Sequence, residues 1–356
     1  MEKVKLGDYI EVKTGKLDAN ASDKDGLYPF FTCSQIPLRI NKFAFDCECI
    51  LIAGNGDLNV KYYNGKFNAY QRTYIITAND SISPKYLYHF FQYYIEKLRA
   101  QSIGGVIKYI KLNNLTDILF NLYDLQTQQK IVEELDCLSD VIEKKKQQLA
   151  DLDNLVKSKF DEMFNNKDFP NKHLKDICTK ITDGSHNPPQ GINFSEYPML
   201  SSQNINGGIF FDNVRYLTQE DFERENKRTN VQSGDILITI VGTIGRSAII
   251  NNEKITLQRS VAVLKPNEEI NSYYLNELLK SSKTQVQLNN KAHGASQKGV
   301  YLADLKTLSI IVPQIELQNK FAEFVKHIDE LKLELNQSIE ETQNLFNERM
   351  QHYFGD

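Results

Sequence analysis

The chain has 356 residues, 41% of them hydrophobic and 25% charged, with five cysteines and a formal net charge of −4. This length allows two or three domains with cores of their own, and the composition is that of an ordinary globular protein. No run approaches the roughly eighteen apolar residues of a membrane-spanning helix, and the first residues lack the apolar core of a signal peptide. The cysteines match no paired zinc spacing, so we expect no metal site and a reduced, cytoplasmic location without a membrane partner.

Charge is distributed unevenly along the chain. Residues 1–120 and 166–312 carry net charges of +3 and +2, whereas residues 121–165 and 313–356 carry −4 and −5. Nucleic-acid binding needs a local basic face and not a basic whole protein. The two longer segments therefore permit DNA binding despite the negative total, although so small an excess does not demonstrate it.

The first lobe begins with runs of β-branched and alternating residues that predict strands, among them 50–53 and 74–77. Ser83 and Pro84 then predict the start of a helix, because serine caps helix amino termini and proline is favoured at the first helical position. A last β run over 119–122 closes this lobe, which we predict to be an α+β domain.

A long helix is predicted after the first lobe. Apolar residues recur there at alternating spacings of three and four, the pattern of a coiled-coil seam, with interruptions at Lys145 and Lys159. The members of this seam are Leu135, Leu138, Ile142, Leu149, Leu152, Val156 and Met163. No proline or glycine falls within the run, so we expect an unbroken helix.

The second half of the chain repeats the first in the same order. Predicted strands at 236–241 and 261–264 and a closing β run at 310–312 are followed by a second heptad run. Its seam consists of Phe321, Phe324, Ile328, Leu331, Leu335, Ile339, Phe346 and Met350. A repeat this long indicates a domain duplication, and each long helix would extend roughly 60 Å at about 1.5 Å per residue.

Aligned residues show that the two copies differ in length. The offset between them is 168 at the first strand, 187 where residues 68–73 meet residues 255–260, and 190 near the end of each lobe. At offset 190, Lys108, Ile110, Leu112, Leu115 and Ile118 fall on Lys298, Val300, Leu302, Leu305 and Leu308. The second lobe therefore has about 20 extra residues, which we expect to form a loop-rich insertion near 188–225.

Polar, glycine-containing loops recur at matched places in both lobes and are our candidates for DNA contact. Arginine can bind guanine bidentately in the major groove, asparagine and glutamine can do so with adenine, and lysine can position phosphates. The candidates in the first lobe are Asn55, Lys61, Gln71, Arg72 and Lys108. Those in the second lobe are Ser185, His186, Gln203, Asn204, Thr243, Arg246, Gln258, Arg259, His293, Ser296, Gln297 and Lys298.

One motif points to a different class of protein. Residues 186–190, His-Asn-Pro-Pro-Gln, are similar to the Asn-Pro-Pro-aromatic motif with which adenine methyltransferases hold a flipped base, but Gln190 stands where the aromatic ring would stack. Glycine-containing loops at 54–57 and 242–246 could imitate a cofactor loop, yet neither has such a motif in its own lobe at a consistent spacing. We therefore predict a turn at 186–190, and no catalytic residue or cofactor on this chain.

A series of short motifs runs through the second half in a fixed order. They are DGSHNP at 183–188, GDILI at 234–238, GTIGR at 242–246, QRS at 258–260, GASQK at 294–298 and VP at 312–313, followed by Glu316 and Gln318. In this order, and together with the duplication, they resemble the specificity subunit of Type I restriction-modification enzymes over essentially the whole chain. The first lobe departs from the pattern, because residues 126–129 lack a preceding proline and the loop at 54–56 lacks a Gly-Arg ending.

The resemblance implies an α+β fold with two target-recognition domains, residues 1–122 and 167–312, each followed by a long spacer helix, residues 123–166 and 313–354. The two helices would pack as an antiparallel coiled coil, and an internal pseudo-twofold repeat would relate the two halves. Each domain would read one half of an asymmetric bipartite site in double-stranded DNA. Half-sites about one helical turn apart, roughly 34 Å, suit two readers joined by a rod.

The implied function is not catalytic. This chain would select the sequence, and two methyltransferase (modification) subunits docked on the spacer would methylate adenine. Restriction and translocase subunits would cleave the DNA, so S-adenosylmethionine, Mg²⁺ and ATP would belong to the partners. Two alternatives stay open: an adenine-specific DNA methyltransferase, which would bind S-adenosylmethionine itself, and a coiled-coil scaffold without a DNA role, which would show no salt-dependent DNA affinity.

Overall fold

The structure is a computed structural model that describes residues 3–165, 167–294 and 298–355. The chain divides into two compact units, Met1–Gln148 with Leu335–Asp356 (unit one) and Leu149–Glu334 (unit two). The division falls within both long helices, so each helix contributes to both units. Within the described residues, no helix is both long enough and apolar enough to cross a lipid bilayer.

Unit one is built on a six-stranded sheet. Its elements, in chain order, are β1 (Lys3–Lys5), β2 (Ile10–Thr14), β3 (Tyr28–Phe31), β4 (Leu38–Ile40), β5 (Phe45–Ala53), β6 (Val60–Ala69), β7 (Thr73–Ala78), α1 (Pro84–Gln101), α2 (Asn113–Thr116), β8 (Leu119–Asn121) and the first part of α3 (Leu125–Phe164). The strand order is β2-β7-β5-β6-β3-β4, and β1 pairs separately with β8. All neighbours in the main sheet are antiparallel except β3 and β6, which run parallel.

Side chains of β5 alternate between two cores. Ile50 and Ile52 belong to the large core that includes the apolar face of α1, whereas Cys49 and Leu51 belong to a smaller aromatic core on the opposite side of the sheet. Because alternate residues of a strand point to opposite faces, a run that is apolar at every position can be buried on both sides. The predicted strands at 50–53 and 74–77 are confirmed within β5 and β7.

The start of α1 is set by its capping residue. Ser83 precedes the helix, and its hydroxyl oxygen accepts a hydrogen bond from the Tyr86 N–H at 3.5 Å, while Pro84 is the first helical residue. This cap satisfies an amide that has no partner inside the helix. The prediction of a helix beginning at Ser83–Pro84 is therefore confirmed.

Unit two repeats this arrangement with smaller sheets. Its elements are the rest of α3, β9 (Asn171–His173), β10 (Cys178–Asp183), β11 (Pro198–Leu200), β12 (Arg215–Tyr216), α4 (Gln219–Thr229), β13 (Ile236–Thr239), β14 (Ser247–Ile249), β15 (Thr256–Leu257), β16 (Val261–Pro266), α5 (Ser272–Lys280), α6 (Ser282–Asn290), β17 (Ala292–His293), β18 (Gly299–Val300), α7 (Leu302–Lys306), β19 (Ser309–Ile311) and the first part of α8 (Ile315–Phe354). The last part of α8 belongs to unit one. The sheets have the orders β10-β16-β13-β14 and β12-β11-β15, with β9 paired to β19 and β17 to β18. The predicted strands at 236–241, 261–264 and 310–312 are confirmed by β13, β16 and β19, although β13 already ends at Thr239 and β19 at Ile311.

The extra residues of unit two contain a helix as well as loops. Between β11 and β13 lie α4 and the short strand β12, so the expectation of a loop-rich insertion near 188–225 was incomplete. Thr218 caps α4, with its hydroxyl accepting from the Asp221 N–H at 3.2 Å, and the left-handed residue Asn230 ends it. The sequence of α4 is almost wholly polar, and its short apolar stripe leaves hydrophobic periodicity with little to detect.

Matched tertiary contacts confirm the duplication in three dimensions. The Tyr86 hydroxyl donates to the Asn121 carbonyl at 2.9 Å, and the Tyr274 hydroxyl donates to the Ile311 carbonyl at 3.0 Å. Both tyrosines are fully buried in the first turn of the helix that follows the central sheet. The same bond therefore ties that helix to the closing strand in each unit.

A buried glutamine stands near the start of each long helix. Gln128 in α3 and Gln318 in α8 are both fully buried, and each side chain bridges its helix to the loop before α1 or α5 respectively. The Gln128 amide bonds the Ser81 carbonyl (2.9 Å), the Ser83 N–H (2.8 Å) and the Tyr123 carbonyl (2.7 Å), and the Gln318 amide bonds the Glu269 carbonyl (3.1 Å), the Asn271 N–H (2.8 Å) and the Pro313 carbonyl (2.8 Å).

Both long helices are unbroken over 40 residues, and their side chains meet inside each unit. In unit one, Lys145 of α3 donates to the Ser338 hydroxyl of α8 at 2.6 Å and to the Thr342 hydroxyl at 3.0 Å. In unit two, the Phe160 ring of α3 lies 5.5 Å from the Phe321 ring of α8. The first interruption of the predicted seam, at Lys145, is thus accommodated by two hydroxyl groups on the facing helix.

Candidate nucleic-acid interface

In unit one, four loops meet at one end of the main sheet, and we call this set loop edge one (residues 15–17, 54–56, 70–72 and 103–109). Backbone hydrogen bonds join the loops to one another. They run from the Gly54 N–H to the Arg72 carbonyl (2.7 Å), from the Gly56 N–H to the Lys108 carbonyl (2.9 Å) and from the Gln71 N–H to the Leu17 carbonyl (2.9 Å). Candidates that are up to 53 residues apart in the sequence are therefore held on one surface.

Three of the five candidates in unit one project freely from loop edge one. Gln71, Arg72 and Lys108 are exposed, and within the described residues their side chains make no hydrogen bond or ion pair. Free amide, guanidinium and ammonium groups on one surface can offer hydrogen bonds to bases and positive charge to phosphates.

The other two candidates are partly occupied by neighbours. Asn55 is half-buried, and its Oδ1 accepts a hydrogen bond from the Cys33 thiol at 2.8 Å. Lys61, on β6, donates to the Asn59 side-chain oxygen, and burial lowers the pKa of Lys61. The Asn59 amide in turn donates to the Cys33 carbonyl at 2.9 Å. Sequence reasoning missed Cys33 and Asn59, whose roles depend on partners more than twenty residues away.

Loop edge one also carries an apolar tip that sequence reasoning missed. Ile103 and Tyr109 exchange backbone hydrogen bonds of 2.8 and 3.0 Å, which closes a narrow hairpin. At its tip Val106 is fully exposed and Ile107 is 62% exposed, next to the candidate Lys108. Large apolar side chains this exposed are a feature of interaction surfaces when they lie together.

Unit two has a corresponding set of loops, loop edge two (residues 184–186, 201–204, 240–246, 258–260 and 298–299). The bonds that join it run from the Arg259 N–H to the Ser185 carbonyl (2.9 Å), from the Gln258 N–H to the Leu200 carbonyl (2.8 Å), from the Ser202 N–H to the Ser260 hydroxyl (3.0 Å) and from the Gly242 N–H to the Lys298 carbonyl (3.2 Å). The Thr243 hydroxyl also donates to the Ser202 carbonyl at 3.4 Å. The structure therefore brings all five loops together.

The exposed basic groups of loop edge two are Arg246, Arg259 and Lys298. Among the residues that the structure describes, the side chains of all three make no hydrogen bond or ion pair. Thr243 and Gln203 are exposed beside them, whereas Ser185 and Gln258 are half-buried. This surface is well suited to a polyanion, because its cations are not neutralised by the protein itself.

Both candidate histidines have carboxylate partners. His186 Nε2 lies 2.8 Å from Asp183 Oδ2, and Arg228 also bonds the same carboxyl group. His293 Nε2 lies 3.1 Å from Asp304 Oδ2, and its ring stacks on Tyr301 with 5.1 Å between centroids. Both side chains are more than half exposed.

Asn204 and the Asn-Pro-Pro turn support their loops. Asn204 is only 2% exposed; its Oδ1 accepts from the Ser201 N–H at 3.0 Å and its Nδ2 donates to the Asp212 carbonyl at 2.9 Å. Its position within the protein favours a supporting role over direct contact with DNA. Arg215 donates to the Pro189 carbonyl at 2.7 Å and so holds the turn at 186–190. Ser296 and Gln297, also predicted to contact DNA, lie outside the described residues.

The structure corrects one alignment of the two lobes. The sequence pairs Gln71 with Gln258 and Arg72 with Arg259 at an offset of 187. In the structure, however, Gln71 and Arg259 both donate their N–H to the loop after the first long strand, to Leu17 and Ser185 respectively, at 2.9 Å. The structural offset is therefore 188. The sequence alignment paired the two Gln-Arg dipeptides because they are identical, although they are one residue out of register in the structure.

Comparison with known proteins identifies the same family that the sequence motifs resemble. A family model described as the Type I restriction modification DNA specificity domain matches residues 1–154 and again residues 166–342. The chain belongs to this family. The two matches correspond to the two copies of the duplication.

Three curated relatives are specificity subunits of Type I restriction enzymes. The chain is 44% identical to the EcoDI subunit of Escherichia coli over 154 residues, which is 43% of this chain and 34% of that protein. It is 24% identical to the EcoBI subunit of Escherichia coli over 308 residues, which is 76% of this chain and 65% of that protein. It is 23% identical to the MjaVIII subunit of Methanocaldococcus jannaschii over 372 aligned positions, which is 93% of this chain and 86% of that protein. The match thus spans about a third of the first relative and just under two thirds of the second.

Solved structures share the fold along the whole chain. The Type I restriction-modification S subunit from M. genitalium superposes with a TM-score of 0.63 at 15% identity, covering 100% of this chain and 96% of that one. A chain from a study of complex assembly and conformational transition in the Type I system has a TM-score of 0.56 at 17% identity, covering 100% and 98%. At such identities the likeness concerns the fold alone.

Proposed function

We propose that this chain is a DNA sequence-recognition subunit of a Type I restriction-modification complex, with one half of an asymmetric bipartite site read by each unit. The observation that carries the proposal is the pair of loop edges, which have matched backbone hydrogen bonds but different exposed side chains. A shared scaffold places a reader in the same way twice, while different side chains select different bases. The exposed, unneutralised Arg72, Lys108, Arg246 and Lys298 would supply the charge that phosphate contact requires.

We further propose that the two long helices pack as an antiparallel coiled coil that spaces the readers, with domain limits of 1–122, 123–166, 167–312 and 313–354. Glu134, early in α3, lies 2.9 Å from Arg349, late in α8, and the Phe160 ring, late in α3, lies 5.5 Å from the Phe321 ring, early in α8; these contacts support this direction. Methyltransferase subunits, two in number, would dock on this spacer, and restriction subunits would join them. The chain itself would carry out no chemistry.

The decisive experiment is to map methylated adenines in the genome of cells with and without this gene. We expect methylation at one asymmetric bipartite sequence to disappear with the gene and to return when the gene is restored. Methylation of a continuous palindrome, or no change between the two strains, would contradict the proposal.

Exchanging residues 1–122 for the first domain of another family member tests the division of labour. We expect only one half-site to change, because the scaffold of each loop edge is contained within its own unit. A change in both half-sites would show that the readers are not independent. Tight binding of S-adenosylmethionine by the purified chain would instead indicate the methyltransferase alternative, and a lack of salt-dependent DNA affinity in the assembled complex would indicate the scaffold.

A further inference from the structure

The turn that enters the strand β7 in unit one has the same backbone as the turn that enters β16 in unit two. Residues 70–73 and 258–261 make the same hydrogen bonds at an offset of 188. The Tyr70 and Gln258 N–H groups donate to Phe31 and Leu200 (2.9 and 2.8 Å), the Gln71 and Arg259 N–H groups donate to Leu17 and Ser185 (both 2.9 Å), and the Thr73 and Val261 N–H groups donate to Tyr70 and Gln258 (2.8 and 3.0 Å). The register of this turn is therefore set by three independent pairs of bonds.

This register places unlike side chains at each position of the turn. At the first position stand the half-buried Tyr70 and Gln258. The third position is occupied by Arg72 in unit one and by Ser260 in unit two. Arg72 is exposed, whereas the Ser260 hydroxyl accepts a hydrogen bond from the Ser202 N–H at 3.0 Å.

Only the second position is exposed in both units. It holds Gln71 in unit one and Arg259 in unit two, and among the described residues neither side chain has a hydrogen-bond or ion-pair partner. The backbone of each is fixed by a bond to the loop after β2 or β10, so both side chains leave the protein from the same point of the scaffold.

We propose that Gln71 and Arg259 are equivalent base-reading residues, and that the half-site of unit one has an adenine where the half-site of unit two has a guanine. A glutamine side chain matches the N6 and N7 groups of adenine, and an arginine side chain matches O6 and N7 of guanine. The alignment by sequence would instead put glutamine opposite glutamine and arginine opposite arginine, and would make the two half-sites alike at these places. The difference between the half-sites follows from a one-residue shift that only the hydrogen bonds reveal.

This inference rests on the proposed function, and its test uses the full chain assembled with its methyltransferase subunits. Methylation is mapped for the wild type and for two single variants, Arg259→Gln and Gln71→Arg. We expect Arg259→Gln to replace one guanine by adenine in one half-site, and Gln71→Arg to replace one adenine by guanine in the other half-site. Arg72→Gln is the matched control, and we expect it to leave the base pair that Gln71 reads unchanged.

A variant that methylates too weakly to map is tested by binding. The wild-type complex and an Arg259→Ala complex are titrated with duplexes that carry every single base-pair substitution of the site. We expect Arg259→Ala to lose discrimination of about 5- to 150-fold at one guanine and to keep it at the other base pairs.

Different results would contradict the proposed function and the equivalence of Gln71 and Arg259. If the wild-type complex recognises no bipartite site, the proposed function is wrong. If it does recognise one, but discrimination by Arg259→Ala equals that of the wild type at every base pair, only the present inference is overturned. The inference is also overturned if Arg72→Gln changes the preference at the same base pair as Gln71→Arg.

Discussion

The two units keep the same backbone scaffold and differ in the side chains placed on it. The turn at 70–73 and the turn at 258–261 share three hydrogen bonds, yet no residue of one turn is identical to its counterpart in the other. Buried contacts are conserved between the copies much more closely, as the paired tyrosines and the paired glutamines show. A duplicated reader can thus acquire a second specificity without losing its fold, because the bonds that hold a loop edge come mainly from the backbone.

The same contrast appears where the long helix of each unit meets the helix of the lobe. In unit one, Lys85 Nζ and His89 Nε2 lie 2.7 and 2.8 Å from the two carboxylate oxygens of Asp136. At the matched positions of unit two, Lys326 Nζ lies 5.1 Å above the Tyr273 ring. An ion pair and a cation–π contact occupy equivalent junctions, so the units should respond differently to pH while sharing their packing.

Substitution of the buried glutamines should have the largest effect on stability. Gln128→Leu places an apolar side chain at a fully buried position and leaves the Ser83 N–H and the carbonyls of Ser81 and Tyr123 without this partner. We expect a loss of about 3 kcal/mol in the free energy of unfolding of unit one, measured by hydrogen exchange, with unit two unchanged. Gln318→Leu should lower the free energy of unfolding of unit two by a similar amount and leave unit one unchanged. The control Gln129→Leu is exposed and should change stability by less than about 0.5 kcal/mol; an equal loss from both would contradict the explanation.

Changes at the apolar hairpin should weaken DNA binding without weakening the fold. Replacing both Val106 and Ile107 by serine removes two exposed apolar side chains beside Lys108, and their burial against DNA is the expected source of affinity. We expect about tenfold weaker DNA binding by the assembled complex in a fluorescence titration. Thermal unfolding should not change, and a lowered melting temperature would indicate a structural role instead.

Removal of one exposed charge should give a smaller effect that depends on salt. Lys108→Ala is expected to weaken DNA binding about fivefold, similarly for all sequences, and to reduce the slope of log affinity against log salt by about 1. Lys298→Ala, at the matched position of unit two, should behave in the same way. A loss of discrimination at one base pair with an unchanged salt slope would show that these lysines read bases.

The smallest predicted effect is a pH dependence confined to unit one. His89 is 2% exposed, and burial lowers the pKa of His89 although Asp136 partly opposes the shift. The folded state therefore binds fewer protons than the unfolded state, and stability should fall as the pH drops below about 6.5. Hydrogen exchange at pH 7.5 and 5.5 should show a loss in unit one that His89→Gln removes. A gain in stability on acidification would contradict the sign.

The pKa of Asp136 is also lowered, but in a lower pH window. Burial by itself would raise this pKa, and hydrogen bonds from Lys85 and His89 more than offset it. Its contribution is therefore present above about pH 4 and is lost only as the pH falls through the lowered pKa, which separates it from the effect of His89.

Much of the fold could be predicted because it depends on local patterns. Ser83 with Pro84 marks a helix start, and the heptads after each lobe mark helices of 40 residues, whatever surrounds them. Burial and weakly amphipathic elements are harder to predict from local patterns. Asn204 has the side chain of a base reader, but the fold buries it against Ser201 and Asp212, and its contact with DNA stays a prediction. The apolar stripe of α4 is too short to be recognised from the sequence.

The sequence by itself determined that the chain is a duplication with two polar loop sets and two long helices, because repeats and periodicity are written in the order of residues. Only the tertiary structure decided which residues of the two copies correspond. Gln71 and Arg259 occupy equivalent positions in the two units because their backbone N–H groups donate to the carbonyls of Leu17 and Ser185. These residues lie 54 and 74 residues earlier in the chain. The hydrogen bonds that set this register join the backbones of distant segments. Because almost every residue has the same backbone groups, the residue types do not reveal which of them pair.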